Sequence, residues 1–266
     1  PGVCFATSGP GATNILTGIA TAQADSSPMV AVTGQVPVAM IGKDAFQESD
    51  IIGMANPVVK YAFQPRTPGE VPEMVKKGFY IAETGRPGPV LIDVPKDVQQ
   101  NESPMDFPEE FKIQGYHPWY DPDMVACEKA IEMLLNSEKP IILAGGGTII
   151  SSAFAELQSI AETLMIPVVT TFKGKGAFPE NHPLSLGPIG MHGHAEANKM
   201  MAEADCVLAI GTRFSDRSVG TFEAFEKRLK IIHMDVDPAE IGKNQTTSLA
   251  VVGDVRTSLR VMVKLL

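Results

Sequence analysis

From Asp123 onward the chain repeats one pattern, in which a short apolar run of strand character alternates with a stretch of helical period. The pattern predicts helix Asp123–Asn136, strand Pro140–Ala144, helix Ser151–Met165, strand Pro167–Thr170 and helix Gly193–Glu203. Strand Cys206–Ile210, strand Leu229–Asp235 and a closing helix Val255–Leu265 follow. Strands separated by helices cannot pair as hairpins, so they form a parallel sheet with right-handed crossovers. The expected fold class is therefore α/β, with a doubly wound parallel sheet in this half.

The first hundred residues carry a related signature. The apolar run Val3–Ala6 leads into Thr7-Ser-Gly-Pro-Gly-Ala-Thr-Asn14, a strand-to-helix turn in which residues without Cβ let the backbone approach a ligand closely. Helix Ala12–Ala24, strand Met29–Thr33, a loop over 34–49, an amphipathic helix Val71–Glu83 and strand Pro89–Asp93 are expected next. No initiator Met or capped helix precedes the turn, so the sequence is expected to begin inside a domain. Residues 101–121, rich in Pro, acidic and aromatic side chains, read as a linker. The expected domains are thus 1–100 and 122–266. A Gly-rich turn alone is weak evidence of a ligand, because many such sheets use one only for packing.

Composition narrows the classes. With 44% hydrophobic and 20% charged residues, the 266-residue chain can bury a sizeable core. A formal net charge of −9 argues against nucleic acid or an anionic membrane as partner. No apolar run reaches membrane-spanning length, and the expected compartment is the cytoplasm. Cys4, Cys127 and Cys206 lack metal-ligand spacing and are expected reduced.

In a parallel sheet, ligands bind beyond the carboxyl ends of the strands. In the second half those ends carry Gly145-Gly-Gly147, Thr171-Phe-Lys-Gly174, Gly211-Thr-Arg-Phe-Ser-Asp-Arg217 and Asp235-Val-Asp237. Glycines permit close approach, arginines grip phosphate bidentately and a strand-end carboxylate can take ribose hydroxyls. Together they describe a dinucleotide cradle. The G-x-G-x-x-G fingerprint is absent, which disfavours a nicotinamide enzyme. Each element also has a plain structural reading: a tight turn for the glycines, surface positions for His192 and His194, helix caps for Asp235 and Asp237. For His194 the surface reading is preferred.

Gly34-Gln-Val-Pro37, Asp44-Ala-Phe-Gln-Glu48 and Gly85-Arg-Pro-Gly-Pro-Val-Leu-Ile-Asp-Val-Pro-Lys96 follow the first turn. With Gly190-Met-His-Gly193 in the second half, this series resembles the acetolactate synthase (acetohydroxyacid synthase) catalytic-subunit family of thiamine-diphosphate enzymes, along the whole chain. The resemblance implies part of a pyrimidine-binding α/β domain followed by an FAD-binding domain. It implies thiamine diphosphate walled by Pro10, Gly11 and Asn14, with Gln47 toward the reacting centre and Lys96 near the substrate entrance. It also implies FAD contacts at Phe46, Arg86, Gly145, Gly146, Gly147, Thr171, Phe172, Lys173, Ile189, Gly190, Met191 and His192. Further implied contacts are Gly211, Thr212, Arg213, Asp216, Arg217, Asp235, Val236, Gly253, Asp254 and Val255.

The same resemblance implies pyruvate and 2-ketobutyrate as substrates, a homodimer or higher homo-oligomer, and a small regulatory subunit. The family's activating glutamate and its Mg2+-binding segment match nothing here, so no metal ligand is expected in this chain and the chain alone is expected to be inactive. One departure stands out: where the family commonly reads Arg-Phe-Asp-Asp-Arg, this sequence has Ser215. Glu48, beside Gln47, does not match the catalytic position. Pyruvate oxidase, glyoxylate carboligase and a non-catalytic nucleotide-binding module are the alternatives.

Overall fold

The computed structural model describes residues 1–104, 106–118, 121–219 and 229–266. The chain divides into two compact units, Pro1–Pro118 and Trp119–Leu266.

The first unit contains β1 (Gly2–Ala6), α1 (Pro10–Asn14), α2 (Leu16–Asp25), β2 (Met29–Gln35), α3 (Ile51–Ala55), β3 (Tyr61–Phe63), α4 (Val71–Glu83), β4 (Pro89–Pro95) and α5 (Lys96–Gln100). Its strands are all parallel in the order β1-β2-β4-β3. Period-2 alternation sends Ala31 and Leu91 toward Ala12, Ile19 and Ile51 on one face, and Val30, Val90 and Ile92 toward Ile81 and Ala82 on the other. The expected helix Ala12–Ala24 is split at Ile15, and Pro10 opens it at a position where a missing N–H costs nothing. Residues 106–118 pack on this unit. Ile113 and Tyr116 reach its core, and Tyr116 Oη donates to the Thr84 carbonyl at 2.8 Å.

The second unit contains α6 (Met124–Leu135), β5 (Pro140–Ala144), α7 (Gly146–Ile150), α8 (Phe154–Leu164), β6 (Val168–Thr170), β7 (Ser185–Pro188), α9 (Ala195–Glu203), β8 (Cys206–Ile210), α10 (Asp216–Val219), β9 (Lys230–Asp235), β10 (Leu249–Val252) and α11 (Val255–Leu265). All its strand pairs are parallel, in the order β10-β9-β8-β5-β6-β7. Each face of the sheet is covered. Ile142, Ala144, Leu208 and Ile232 pack with α6, α8 and α11, whereas Ile141, Leu143, Val207 and Ala209 pack with Ala197 and Met201 of α9. Two of the helices, α6 and α11, begin where a side chain takes up a free N–H group: Asp123 accepts from Ala126 N at 3.0 Å and Asp254 from Thr257 N at 2.9 Å.

This order is that of a doubly wound dinucleotide-binding sheet, with the chain running outward in both directions from β5 and β8. The crevice at such a switch point lies between the loops that follow those two strands. Those loops are Gly145–Gly147 and Gly211–Arg217.

Two differences from the sequence reading have local causes. The glycines after β5 open the short helix α7, so the helix expected from Ser151 begins only at Phe154, beyond Ser152 in the left-handed region at φ 54°. β7, holding Gly187 and Pro188, and the four-residue β10 lacked a strand signature. Cys127 and Cys206 are buried and Cys4 half-buried, all unbridged, and burial pushes the Cys127 thiol up to about 11.

Candidate functional sites, one in each unit

In the first unit, the carboxyl ends of β1, β2 and β4 open onto a cleft of about 510 Å³. Thr7, Ser8, Gly34, Gln35, Lys96 and Gln99 line it, so Lys96 is the one sequence-predicted site residue on its wall among the described residues. Gln47 lies elsewhere, against the turn that starts α1. A Cβ on Gly9 would stand 2.7 Å from the Gln47 carbonyl oxygen, and Gly9 itself has φ 60°. Glycine at position 9 is what lets Gln47 pack against this turn.

The loop that presents Gln47 is held by Glu48. Its carboxylate accepts from Ala45 N at 3.0 Å, from Lys43 N at 3.3 Å and from Gly42 N. These backbone N–H groups hold the carboxyl below the ordinary range. Glu48 is thus occupied in folding the loop, while Phe46 beside it is 89% exposed. Beneath the cleft lies a network the sequence reading missed. Asp93, fully buried, accepts from Thr33 Oγ1 at 2.7 Å, Gln35 Nε2 at 3.0 Å and Gln64 Nε2 at 2.8 Å. Burial still holds its carboxyl above the ordinary range. The available signal was a lone acid in the apolar strand Pro89–Pro95. Arg86 donates to Ser26 Oγ at 2.9 Å, and Asn14 and Pro10 are exposed.

In the second unit, four predicted blocks meet at the switch point. A Cβ on Gly147 would stand 2.6 Å from Gly211 Cα, and one on Gly145 would strike the Gly211 carbonyl. Thr171 N donates to the Ala144 carbonyl at 3.0 Å, and Gly174 lies directly on that carbonyl. Gly190, at φ 102°, rests against the Arg217 carbonyl, which accepts from Met191 N at 3.3 Å. The glycines thus bring the loop backbones into contact with each other. Asn198, overlooked in the sequence, clips Gly190 by donating to its carbonyl at 3.0 Å and accepting its N–H at 2.8 Å.

Above this platform stand exposed Lys173, Arg213 and Arg217, with Phe172 at 82% and Met191 at 67% exposure. Three cations beside two bare apolar side chains suit an elongated anionic ligand with an apolar end. Asp216 lies 3.8 Å from Arg217 Nε, and Ser215 Oγ meets Ser218 Oγ at 3.1 Å. Ile189 is buried, whereas His192 is exposed; His194 Nδ1 meets the Leu186 carbonyl at 3.2 Å. Asp235 is buried and accepts from Asp237 N at 2.9 Å, so it shapes the turn after β9, with Val236 between them. Gly253 N donates to the Asp235 carbonyl at 3.0 Å, Asp254 caps α11, and Val255 is its first, buried residue.

His233, on β9, is 1% exposed; its Nε2 donates to the Thr212 carbonyl at 2.8 Å. Burial holds its pKa below the ordinary value of 6.5. The unfolded chain therefore takes up a proton first as pH falls below that value. This group's stabilising contribution is present above about pH 6.5 and is lost as pH falls through the lower folded value. Thermal melts of the chain should show the midpoint dropping below pH 6.5, with a shallower drop in His233→Gln. Parallel profiles for the two would remove His233 as the cause.

Two family models match the chain: the thiamine pyrophosphate enzyme N-terminal TPP binding domain over residues 1–54 and the thiamine pyrophosphate enzyme central domain over residues 127–262. The fold and the matched domains place it among thiamine pyrophosphate enzymes. Among curated relatives it is 53% identical, over 97% of its length, to the probable acetolactate synthase large subunit of Methanocaldococcus jannaschii. It is 51% identical over 99% to that of Methanococcus aeolicus, and 48% identical over 97% to the acetolactate synthase of Arthrospira platensis. The chain belongs to the acetolactate synthase large-subunit family. It spans 44%, 44% and 45% of those three relatives' lengths, respectively.

Proposed function

We propose that this chain is a segment of an acetolactate synthase catalytic subunit, which decarboxylates pyruvate and joins it to a second 2-keto acid. With pyruvate as acceptor the product is 2-acetolactate; with 2-ketobutyrate it is 2-aceto-2-hydroxybutyrate. The observation that carries this reading is the agreement of about half the residues with acetolactate synthases along both units.

Thiamine diphosphate supplies the carbanion chemistry when bound. In this chain Pro10, Gly11 and Asn14 would wall its pyrimidine, Gln47 would orient the reacting groups, and the Lys96 ammonium would hold a keto-acid carboxylate. FAD fits the second unit: Arg213, Arg217 and Lys173 suit its pyrophosphate, while Phe172 and Met191 offer apolar surface. The reaction has no net redox change, so FAD would serve structure. Among the described residues no three His, Cys, Asp or Glu groups could share a metal ion. We assign Mg2+ to a part of the enzyme outside this sequence, together with the activating glutamate. A homodimer or higher homo-oligomer, a small regulatory subunit and a cytoplasmic location complete the reading. No helix among the described residues is long and apolar enough to cross a membrane.

The reading is tested by replacing the matching segment of a full-length relative with this chain and measuring acetolactate by the acetoin colour reaction. Gln47→Ala and Lys96→Ala should each lower turnover about 10- to 100-fold, the scale of one charge-assisted or polar contact made in the transition state, with FAD content unchanged. Turnover equal to the unsubstituted enzyme in both would remove these residues from the substrate side.

A further inference from the structure

β9 ends beneath the loop that carries Arg213 and Arg217, and the His233 side chain on that strand bonds to the loop at the Thr212 carbonyl. The Thr212 carbonyl can only accept, so the proton sits on His233 Nε2. Nδ1 is then an acceptor, and it has no hydrogen-bond partner among the described residues. The imidazole also stands edge-on to the Phe214 ring, with centroids 5.2 Å apart and planes at 84°. Phe214 is itself 2% exposed and left-handed, at φ 48°. A bulky residue held there costs roughly 1–3 kcal/mol and persists only where its surroundings fix it.

The rest of the loop is anchored through its backbone. Gly211 N donates to the Met234 carbonyl at 2.8 Å, and the Arg213 carbonyl accepts from Asn244 Nδ2 at 2.8 Å. The left-handed turn at Phe214 sends that ring inward and leaves Arg213 and Arg217 on the outside. We propose that His233 is a positioning residue for dinucleotide binding, holding Thr212 and Phe214 so that the two arginines face the ligand's phosphates. This rests on the FAD reading of the second unit. His233 touches no ligand and acts through the loop.

The test compares His233→Gln and His233→Leu in the 266-residue chain. Glutamine Nε2 can donate to the same carbonyl, whereas leucine fills space without a donor. Titration with FAD should show affinity reduced about 10-fold in His233→Leu, the equivalent of one hydrogen bond, and within about 2-fold of wild type in His233→Gln. Amide exchange over 212–217 should quicken in His233→Leu alone. If His233→Leu does not fold, 15N spectra of the wild-type imidazole decide: Nε2–H exchange slowed by FAD supports the proposal, and unchanged exchange overturns it. Equal FAD affinity in wild type and His233→Leu, or equal loss in both variants, overturns the positioning role. A wild-type chain that takes up no FAD overturns the nucleotide reading itself, and the proposal with it.

Discussion

The double variant Arg213→Ala, Arg217→Ala is expected to lose about three orders of magnitude in FAD affinity while keeping its melting temperature. A hydrogen bond to a charged group is worth roughly 1.5–3 kcal/mol, or about 10- to 150-fold, and two on one pyrophosphate act together. Neither arginine is buried, so their removal leaves the core intact. The chain's net charge of −9 adds a second consequence. An anionic ligand must find its attraction locally, so wild-type affinity should fall with salt more steeply than that of the variant. Flavin fluorescence titration checks both statements. Unchanged affinity in the double variant would take the arginines out of the site.

Adding a single methyl group at Gly145 or Gly174 is expected to damage the second unit more than any exposed charge change. At Gly145 the new Cβ would fall on the Gly211 carbonyl, and at Gly174 on the Ala144 carbonyl. Both obstacles are backbone at strand ends, so neither can swing aside. Overpacking of this kind costs about 3 kcal/mol or more, a large part of the stability of such a unit, and lowers the melting temperature by roughly 10 °C. Gly18 provides the contrast: it lies within α2 with nothing within 4 Å of its ideal Cβ. Gly18→Ala should be neutral or stabilising by about 0.5–1 kcal/mol. Thermal melts distinguish the cases, and melts unchanged in Gly145→Ala and Gly174→Ala would show that these loops can part.

Where periodicity and caps agreed, the sequence was easily read. Helix Val71–Glu83 and strands Pro140–Ala144 and Cys206–Ile210 lie where predicted, because their apolar spacing matches one period throughout. The parallel alternation also pointed to the strand ends, where the structure gathers the glycine loops, Arg213 and Arg217. β3 and β10 escaped notice because three or four residues are too few to show a period. Each lies at a sheet edge and pairs with one strand only, β3 with β4 and β10 with β9. Asp93, Asn198 and His233 were missed for a related reason: each is a single polar residue whose partners come from other elements. A lone acid or imidazole in an apolar strand marks a buried network, but the sequence does not say with what.

The central claim is catalytic, and product identification tests it most directly. The 266-residue chain, supplied with pyruvate, thiamine diphosphate, Mg2+ and FAD, is predicted to form no acetolactate above a cofactor-only control. We assign the activating carboxylate and the metal-binding segment to parts outside this sequence, and oriented cofactor binding and acid–base assistance each supply orders of magnitude in rate. The same chain set into a full-length relative in place of its matching segment is predicted to form acetolactate from pyruvate without consuming oxygen. Acetolactate from the chain alone would place the activating group among these residues. Oxygen uptake with peroxide formation by the completed enzyme would contradict the account and make this a segment of an oxidase.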